Sequence, residues 1–288
     1  YQQEGFGPME MTTRRGERWS AARAYLHPIL SRPNLRLMLR TRVRRITFEG
    51  KCATGVEIAG PEGTHSVRAA REILLCGGAI NSPQILLLSG IGNAEELRAL
   101  GIDLVAHLPG VGENLQDHLE IYVQHAATQP VSAFGATTPL GRLRVGAEWL
   151  LFRRGWGATN LFEAGGFVRS NELVDHPNLQ YHFLPLAVSY DGTFAHGGHG
   201  FQAHVGPMRP ESRGSIKLRS PDPSAPPRIR FNYMMTETDR REMREAVRIT
   251  RDIFRQKALE PYRGAELAPG PETTSDAGID AFVRAKGE

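Results

Sequence analysis

One stretch constrains the fold more than any other. Ile73-Leu74-Leu75-Cys76 is followed by Gly77-Gly78-Ala79, then by Ser82-Pro83 and a leucine-rich run that stops at Gly90. A continuous apolar tetrad is the pattern of a strand buried on both faces. The glycines let the chain turn, and Ser followed by Pro is the N-cap and first-turn pair of a helix start. The spacing therefore predicts a parallel strand over 73–76, a tight turn, and a helix opening at Ser82. Strand, glycine turn and helix make the unit of an α/β nucleotide-binding sheet. The dinucleotide fingerprint is absent, because GxGxxG occurs nowhere in the chain. A second short helix is expected after Asn93, an N-cap residue, with Glu96 three residues on and Gly101 as its stop.

Upstream of this unit, three segments predict a β-meander. RVRRITF alternates Val43, Ile46 and Phe48 with arginines, CATGVEIA follows a turn at Glu49-Gly50-Lys51, and HSVRAAREILLC follows a turn in GPEGT. From about Leu119 the texture changes. IYVQHAA, AGGFVRS, NLQYHFLPLAV, GFQAHVGPM, GSIKLRS and RIRFNY are short, alternating, and separated by Gly, Pro and Asp. They predict an antiparallel sheet and a second domain. ETDRREMREAVRITRDIF places Met243, Ala246, Val247, Thr250, Ile253 and Phe254 on one helical face behind an N-cap at Thr236. A shorter helix is expected over 274–286. The class is thus α/β plus α+β: an α/β part over 1–118 joined to an antiparallel-sheet part with flanking helices over 119–288.

Of the 288 residues, 40% are hydrophobic and 23% charged, which is globular composition. The 35 basic residues are interspersed with 31 acidic ones, and a net charge of +4 without basic blocks argues against nucleic-acid binding. Cys52 and Cys76 supply neither a disulfide framework nor a CxxC site, a usage that fits the cytoplasm. No apolar run reaches the ~18 residues of a membrane span. The chain opens on Tyr1 and closes on VRAKGE inside an expected helix, so a central portion of a longer chain is expected.

Four groups of residues could carry chemistry. Glu163 lies in NLFEAGGF among Leu161, Phe162, Ala164, two glycines and Phe167. A lone carboxylate in such surroundings costs several kcal/mol unless something positive meets it. Arg169 or Arg153 is the ordinary answer, and a cationic ligand is the other. His182, in QYHFLP, is either a sheet histidine satisfied internally or a site residue. Asp117 and His118 in NLQDH invite an acid–base reading, while Asn114 and Asp117 equally suit the capping of a turn between domains. His196, His199 and His204 would need convergent geometry to hold a metal, and the glycines between them suggest a loop entering a strand. No metal site is expected.

The stretch GGAINSPQILLLSGIG, Gly77 to Gly92, also resembles the second signature of the glucose-methanol-choline oxidoreductases. LPGVGENLQDH, Leu108 to His118, is similar to the block that follows it in that family. SRGSIKLRSPDPSAPPRIRFNY, Ser212 to Tyr233, is similar to a third block, from the substrate-domain sheet. The opening QQEGFGPM, the EAGGF stretch and the GAELAPG run narrow the likeness toward the family's choline-oxidising members. The resemblance runs in order through essentially the whole chain.

It implies FAD as the cofactor. Val43 would lend its backbone to the adenine, Gly77, Gly78 and Ala79 would approach the adenosine side, and Asn114 would lie in the region covering the cofactor. Glu163 would face the trimethylammonium group of the substrate, and His182 the hydroxyl region. The implied reaction is oxidation of choline to betaine aldehyde by hydride transfer to the flavin, with electrons passed to a membrane acceptor. That acceptor would draw a cytoplasmic enzyme to the inner face of a membrane. The resemblance also places the pyrophosphate-binding turn and the catalytic histidine outside this chain, so no catalytic residue is expected within it. Two other readings stay open: a member of the same family acting on an uncharged alcohol, and a non-catalytic binding module.

Overall fold

The computed structural model describes residues 3–288; Tyr1 and Gln2, at the start of the QQEGFGPM run, lie outside them. Along the chain come β1 (Gly5–Pro8), β2 (Arg42–Glu49), β3 (Cys52–Gly60) and β4 (Gly63–Arg68). Helices α1 (Gly78–Leu88) and α2 (Ala94–Ala99) follow, then β5 (Ile121–Ala127) and α3 (Pro139–Phe152). Next are β6 (Ala164–Val168), β7 (Leu179–Leu184), β8 (Gly200–Pro207), β9 (Ser215–Lys217) and β10 (Arg228–Arg230). The chain ends with α4 (Glu237–Phe254), β11 (Arg263–Ala268) and α5 (Asp276–Lys286).

Two compact units interleave along this order. One holds the described residues up to Ile29 together with His118–Glu211 and Met234–Glu288; the other holds Leu30–Asp117 and Ser212–Tyr233. The division differs from the contiguous halves 1–118 and 119–288 in two segments. The opening residues join the later sheet because β1 pairs antiparallel with β6, Gly5 opposite Phe167. GSIKLRS and RIRFNY form a separate hairpin, β9 with β10, instead of entering that sheet. The Ile216 amide donates to the Gly112 carbonyl at 2.6 Å, and Leu115 and Gly214 exchange amide-to-carbonyl bonds, which ties the hairpin to Leu30–Asp117.

In the first unit six strands form one antiparallel sheet in the order β1-β6-β7-β8-β5-β11. Side chains alternate between its faces. Ile121, Val123, Leu179, Tyr181, Ala203 and Val205 are buried, and α4 brings Met243, Ala246, Val247 and Phe254 to complete the core. Each fully buried Val, Leu, Ile, Phe or Met side chain among them contributes roughly 1.5–3 kcal/mol. The Tyr181 hydroxyl donates to the Ala246 carbonyl at 3.3 Å, joining sheet to helix. Thr236 caps α4 by accepting from the Asp239 amide at 3.1 Å, and Ser275 caps α5 through Gly278.

His125 stands on this apolar face with its ring edge-on to Phe254 at 5.1 Å. Burial pushes its pKa below the ordinary histidine value of 6.5. A histidine kept neutral by the fold binds fewer protons folded than unfolded, so stability rises with pH through this range and is lost as pH falls below 6.5. The denaturant midpoint is expected to drop between pH 7 and pH 5, and His125→Gln to flatten that slope. An unaltered slope in the variant would remove His125 as its source.

In the second unit β2, β3 and β4 make the expected meander. The Ser89 hydroxyl accepts from the buried Ile46 amide at 2.8 Å, fastening the end of α1 to β2. Two expectations are corrected here. Residues 73–76 form no strand, and Leu74 is 75% exposed. Among the described residues no strand lies beside them, and an apolar run without a neighbouring ladder has nothing to pair with. The parallel pairing is instead a two-residue bridge of Ile91–Gly92 with Ala106–His107. Helix α1 also starts at Gly78 rather than Ser82, so Pro83 lies inside it. Pro83 is close enough to the first turn to cost a single backbone bond, and the Ala79 carbonyl loses its i+4 donor.

Candidate functional site

The other face of the six-stranded sheet is polar. Tyr122, His204 and His182 are in cross-strand register, and Gly165 faces His182 on the next strand. One row along, Gln124 lies opposite Gln202. The alternation of IYVQHAA and GFQAHVGP produces this, since every second residue of each strand is polar and faces the same way.

The hydrogen bonds on this face are continuous. The Gln124 side-chain amide donates to the Val188 carbonyl at 3.2 Å and to Gln202 Oε1 at 2.7 Å. The Val188 amide donates to the same Oε1 at 2.8 Å. Gln202 Nε2 then meets His204 Nε2 at 2.7 Å, and His204 Nδ1 meets Glu120 Oε1 at 3.0 Å. The two backbone partners at Val188 fix which way both amides point. Gln202 Nε2 is therefore the donor, His204 Nε2 accepts, and the His204 proton sits on Nδ1 against the carboxylate. Burial opposes the charged form of Glu120, but the hydrogen bond from His204 and the nearby imidazoles hold its pKa below the ordinary carboxylate value.

His182 is half-buried, with Nε2 3.0 Å from Gln180 Nε2. Burial lowers its pKa, the Glu120 charge works the other way, and the lowering prevails. Phe162 stands edge-on to both histidines, 5.8 Å from His182 and 5.0 Å from His204.

Glu163 is exposed, not buried as its apolar neighbours suggested. Leu161 adopts a left-handed backbone at φ 68°, and the Leu161 and Phe162 amides donate to Thr159 Oγ1 (2.7 Å) and Asn160 Oδ1 (3.1 Å). This turn sends Phe162 inward and Glu163 to the wall of a cavity of about 900 Å3 shared with Trp156, Glu148, Arg144, Ser132 and His199. The two arginines expected to meet it are engaged elsewhere: Arg169 with Glu4 at 3.0 Å, Arg153 with Glu17 at 3.4 Å and over the Trp149 ring at 4.0 Å. Among the described residues no ion pair reaches the Glu163 carboxylate. Trp156 supplies aromatic surface in the same cavity, while Phe162 faces the histidines.

The expected cofactor residues fall in the other unit. Val43 and Gly77 line one cavity of about 470 Å3 with Arg42, Asn81, Gln84 and the prolines after Pro223. Gly78 has φ 78° with open space where a Cβ would stand, and Ala79 follows it on the exposed first turn of α1. No side chain caps this turn, in contrast to α2, where Asn93 accepts from Glu95 and Glu96. Unobstructed first-turn amides and a wall at Val43 fit the adenosine end of FAD. Asn114 is exposed, adopts φ 58°, and does not line that cavity. Asp117 accepts from the Tyr233 hydroxyl at 2.6 Å, and burial together with this bond raises the Tyr233 pKa.

His196 and His199 lie apart from the Glu120–His204 chain, His199 on Ser132 Oγ at 2.9 Å. Among the described residues there is no cluster of three or more groups able to hold a metal ion, and no helix long and apolar enough to cross a membrane.

Known proteins bear directly on this arrangement. The family model described as GMC oxidoreductase matches residues 1–120 in its N-terminal form and 210–288 in its C-terminal form. The oxygen-dependent choline dehydrogenase of Brucella ovis is 54% identical over 282 residues, covering 98% of this chain and 51% of that protein. That of Staphylococcus xylosus is 52% identical over all 288 residues, again 51% of its length. The chain thus spans about half the length of the curated relatives it matches. Pyridoxine 4-oxidase from Mesorbium loti superposes with a TM-score of 0.84 at 28% identity, over 99% of this chain and 52% of that one. Formate oxidase of Aspergillus oryzae, at 0.87 and 23%, over 96% of this chain and 53% of that one, shares the fold. With both models of one family matching residues 1–120 and 210–288 and relatives at 52–54% identity along the chain, the chain belongs to the GMC oxidoreductase family.

Proposed function

We propose that this chain supplies the adenosine side of an FAD site and the substrate-facing sheet of an enzyme oxidising choline to betaine aldehyde. One observation carries the substrate: the Glu163 carboxylate stands at the wall of a cavity that Trp156 also lines, with no ion-pair partner among the described residues. A quaternary ammonium donates no hydrogen bond, so it is held by Coulomb attraction and by aromatic faces, and both are present there. His182, kept neutral by burial and with Nε2 occupied by Gln180, offers Nδ1 to the substrate hydroxyl. Bound FAD supplies the hydride acceptor. Gly77, Gly78 and Ala79 would present backbone to the cofactor, Val43 would lend its backbone to the adenine, and Asn114 would belong to the region covering the cofactor. The base that takes the hydroxyl proton is proposed to lie outside these 288 residues.

Glu163→Gln in the flavin-loaded enzyme tests the anchor. Choline kcat/KM is expected to fall roughly 30-fold or more relative to the neutral isostere 3,3-dimethylbutan-1-ol, the scale of one carboxylate–ammonium attraction at a partly exposed site. An unchanged ratio removes the anchoring role.

A second reading, a member of the family acting on an uncharged alcohol, is favoured by Arg144, which lines the same cavity and opposes a cation. Equal turnover of choline and its isostere by the unsubstituted enzyme would decide for it. For the electron acceptor we propose a membrane carrier reached from the cytoplasmic side. The names of the relatives carry oxygen instead, and stoichiometric oxygen uptake with choline in a membrane-free preparation would decide for oxygen.

A further inference from the structure

The role of Glu163 raises a question that the residue itself does not answer: what holds a carboxylate on a left-handed turn steady enough to select a substrate? We propose that His204 is a positioning residue for substrate selection, fixing the Phe162 ring and through it the turn that presents Glu163. The inference rests on the reading of Glu163 as the cation anchor.

His204 has almost no freedom. Its Nδ1 donates to Glu120 at 3.0 Å and its Nε2 accepts from Gln202 at 2.7 Å, so rotation about either side-chain bond breaks a hydrogen bond. The Tyr122 ring covers one side at a centroid distance of 3.9 Å. The edge of Phe162 closes another at 5.0 Å and 88°. Gln202 is itself held by two donors, so the imidazole cannot turn without dismantling contacts at Gln124 and Val188. A polar, doubly tethered ring inside a sheet is a stiffer support than an aliphatic side chain, which would hop between rotamers.

Phe162 is the link from this support to the turn. Its ring also packs against the apolar cluster of Ala133, Leu184 and Leu186, so one side chain reads both the sheet face and the neighbouring core. The residue before it holds φ 68°, a conformation that costs a non-glycine residue about 1–2 kcal/mol and persists only where surrounding contacts impose it. The two side-chain bonds at Thr159 and Asn160 shape the turn, but they lie within it and cannot set its height over the sheet. Two contacts supply that reference: the Met9 amide donates to the Glu163 carbonyl at 3.0 Å on the side of β1, and the Phe162 ring rests on His204 and His182 on the side of the polar face. The Glu163 carboxylate, one residue on, inherits its position.

The test uses the flavin-loaded enzyme with choline and 3,3-dimethylbutan-1-ol as the two probes, in His204→Ala, Phe162→Leu and each of these combined with Glu163→Gln. A displaced anchor is expected to cut the choline-to-isostere ratio of kcat/KM by roughly tenfold, within the range a misplacement of about 1 Å can cause, with the isostere itself changing less than about threefold. In the Glu163→Gln background neither variant should change the ratio further. A parallel loss on both probes, or a ratio that falls equally with and without Glu163, means that His204 merely maintains the sheet and overturns the proposal. If Glu163→Gln alone leaves the ratio unchanged, the anchor reading has failed and the proposal falls with it, an outcome distinct from the first. Should His204→Ala lose its flavin, Phe162→Leu reads the same link from the other side; loss of flavin in both variants also overturns it.

Discussion

Arg251→Ala is expected to destabilise the sheet unit by about 3–5 kcal/mol, the cost of leaving one member of a buried ion pair unmatched. The Arg251 and Glu266 side chains are about one-tenth exposed, and they join α4 to β11 through bonds of 2.7 to 3.2 Å. The same guanidinium donates to the Gly270 and Thr273 carbonyls, each at 2.8 Å, and so carries the turn after β11 as well. Removing it strands a carboxylate and two carbonyls at once. Equilibrium urea unfolding followed by far-ultraviolet circular dichroism measures the loss. The pair Arg251→Met with Glu266→Gln is expected to recover much of it, because no charge then stays buried alone. A loss under about 1 kcal/mol in the alanine variant would show that water reaches this pair more freely than its burial implies.

Phe254→Ala is expected to cost a similar amount, about 3–5 kcal/mol, for a different reason. Its ring is 2% exposed and lies edge-on to His125 at 5.1 Å, Phe201 at 5.2 Å and Phe183 at 6.3 Å, so it fills the space where α4 crosses three strands. Truncation leaves a cavity lined by rings that cannot close over it. Phe254→Leu, which keeps most of the volume, should lose less, and a leucine variant as unstable as the alanine one would point to the ring contacts themselves rather than to the space they fill.

The two variants also mark what the sequence could and could not convey. Phe254 was legible: it lies on the apolar stripe that begins at Met243, and the Thr236 cap fixed the start of that helix. Arg251 was not, since an arginine beside an apolar stripe reads as solvated until Glu266 is known to face it. The same limit runs through the chain. Alternation marked GSIKLRS and RIRFNY as strands but carried no information about which sheet they join. The apolar run over 73–76 promised a strand, yet strand formation depends on a partner that no local pattern contains. At the site, the composition of NLFEAGGF drew attention to Glu163 but implied burial, which the left-handed turn at Leu161 reverses. The Glu120–His204–Gln202 chain was half legible. Periodicity puts these polar residues on one face, while the bond from His204 to Glu120 spans 84 positions and only the register of β8 against β5 creates it.

The pairing of β1 with β6 has a consequence for how the chain is made. β1 leaves the ribosome well before β6, its partner among the described residues, which follows about 160 residues later. At ordinary synthesis rates of ~5–20 residues per second, Gly5–Pro8 stays without its neighbour for roughly 8–30 s. Among the described residues this is the longest wait of any ladder in the sheet, although β1 with β6 can close before the ladders that need β7, β8 or β11. A nascent chain paused before Ala164 carries an open strand edge, the kind of surface on which neighbouring nascent chains pair with one another.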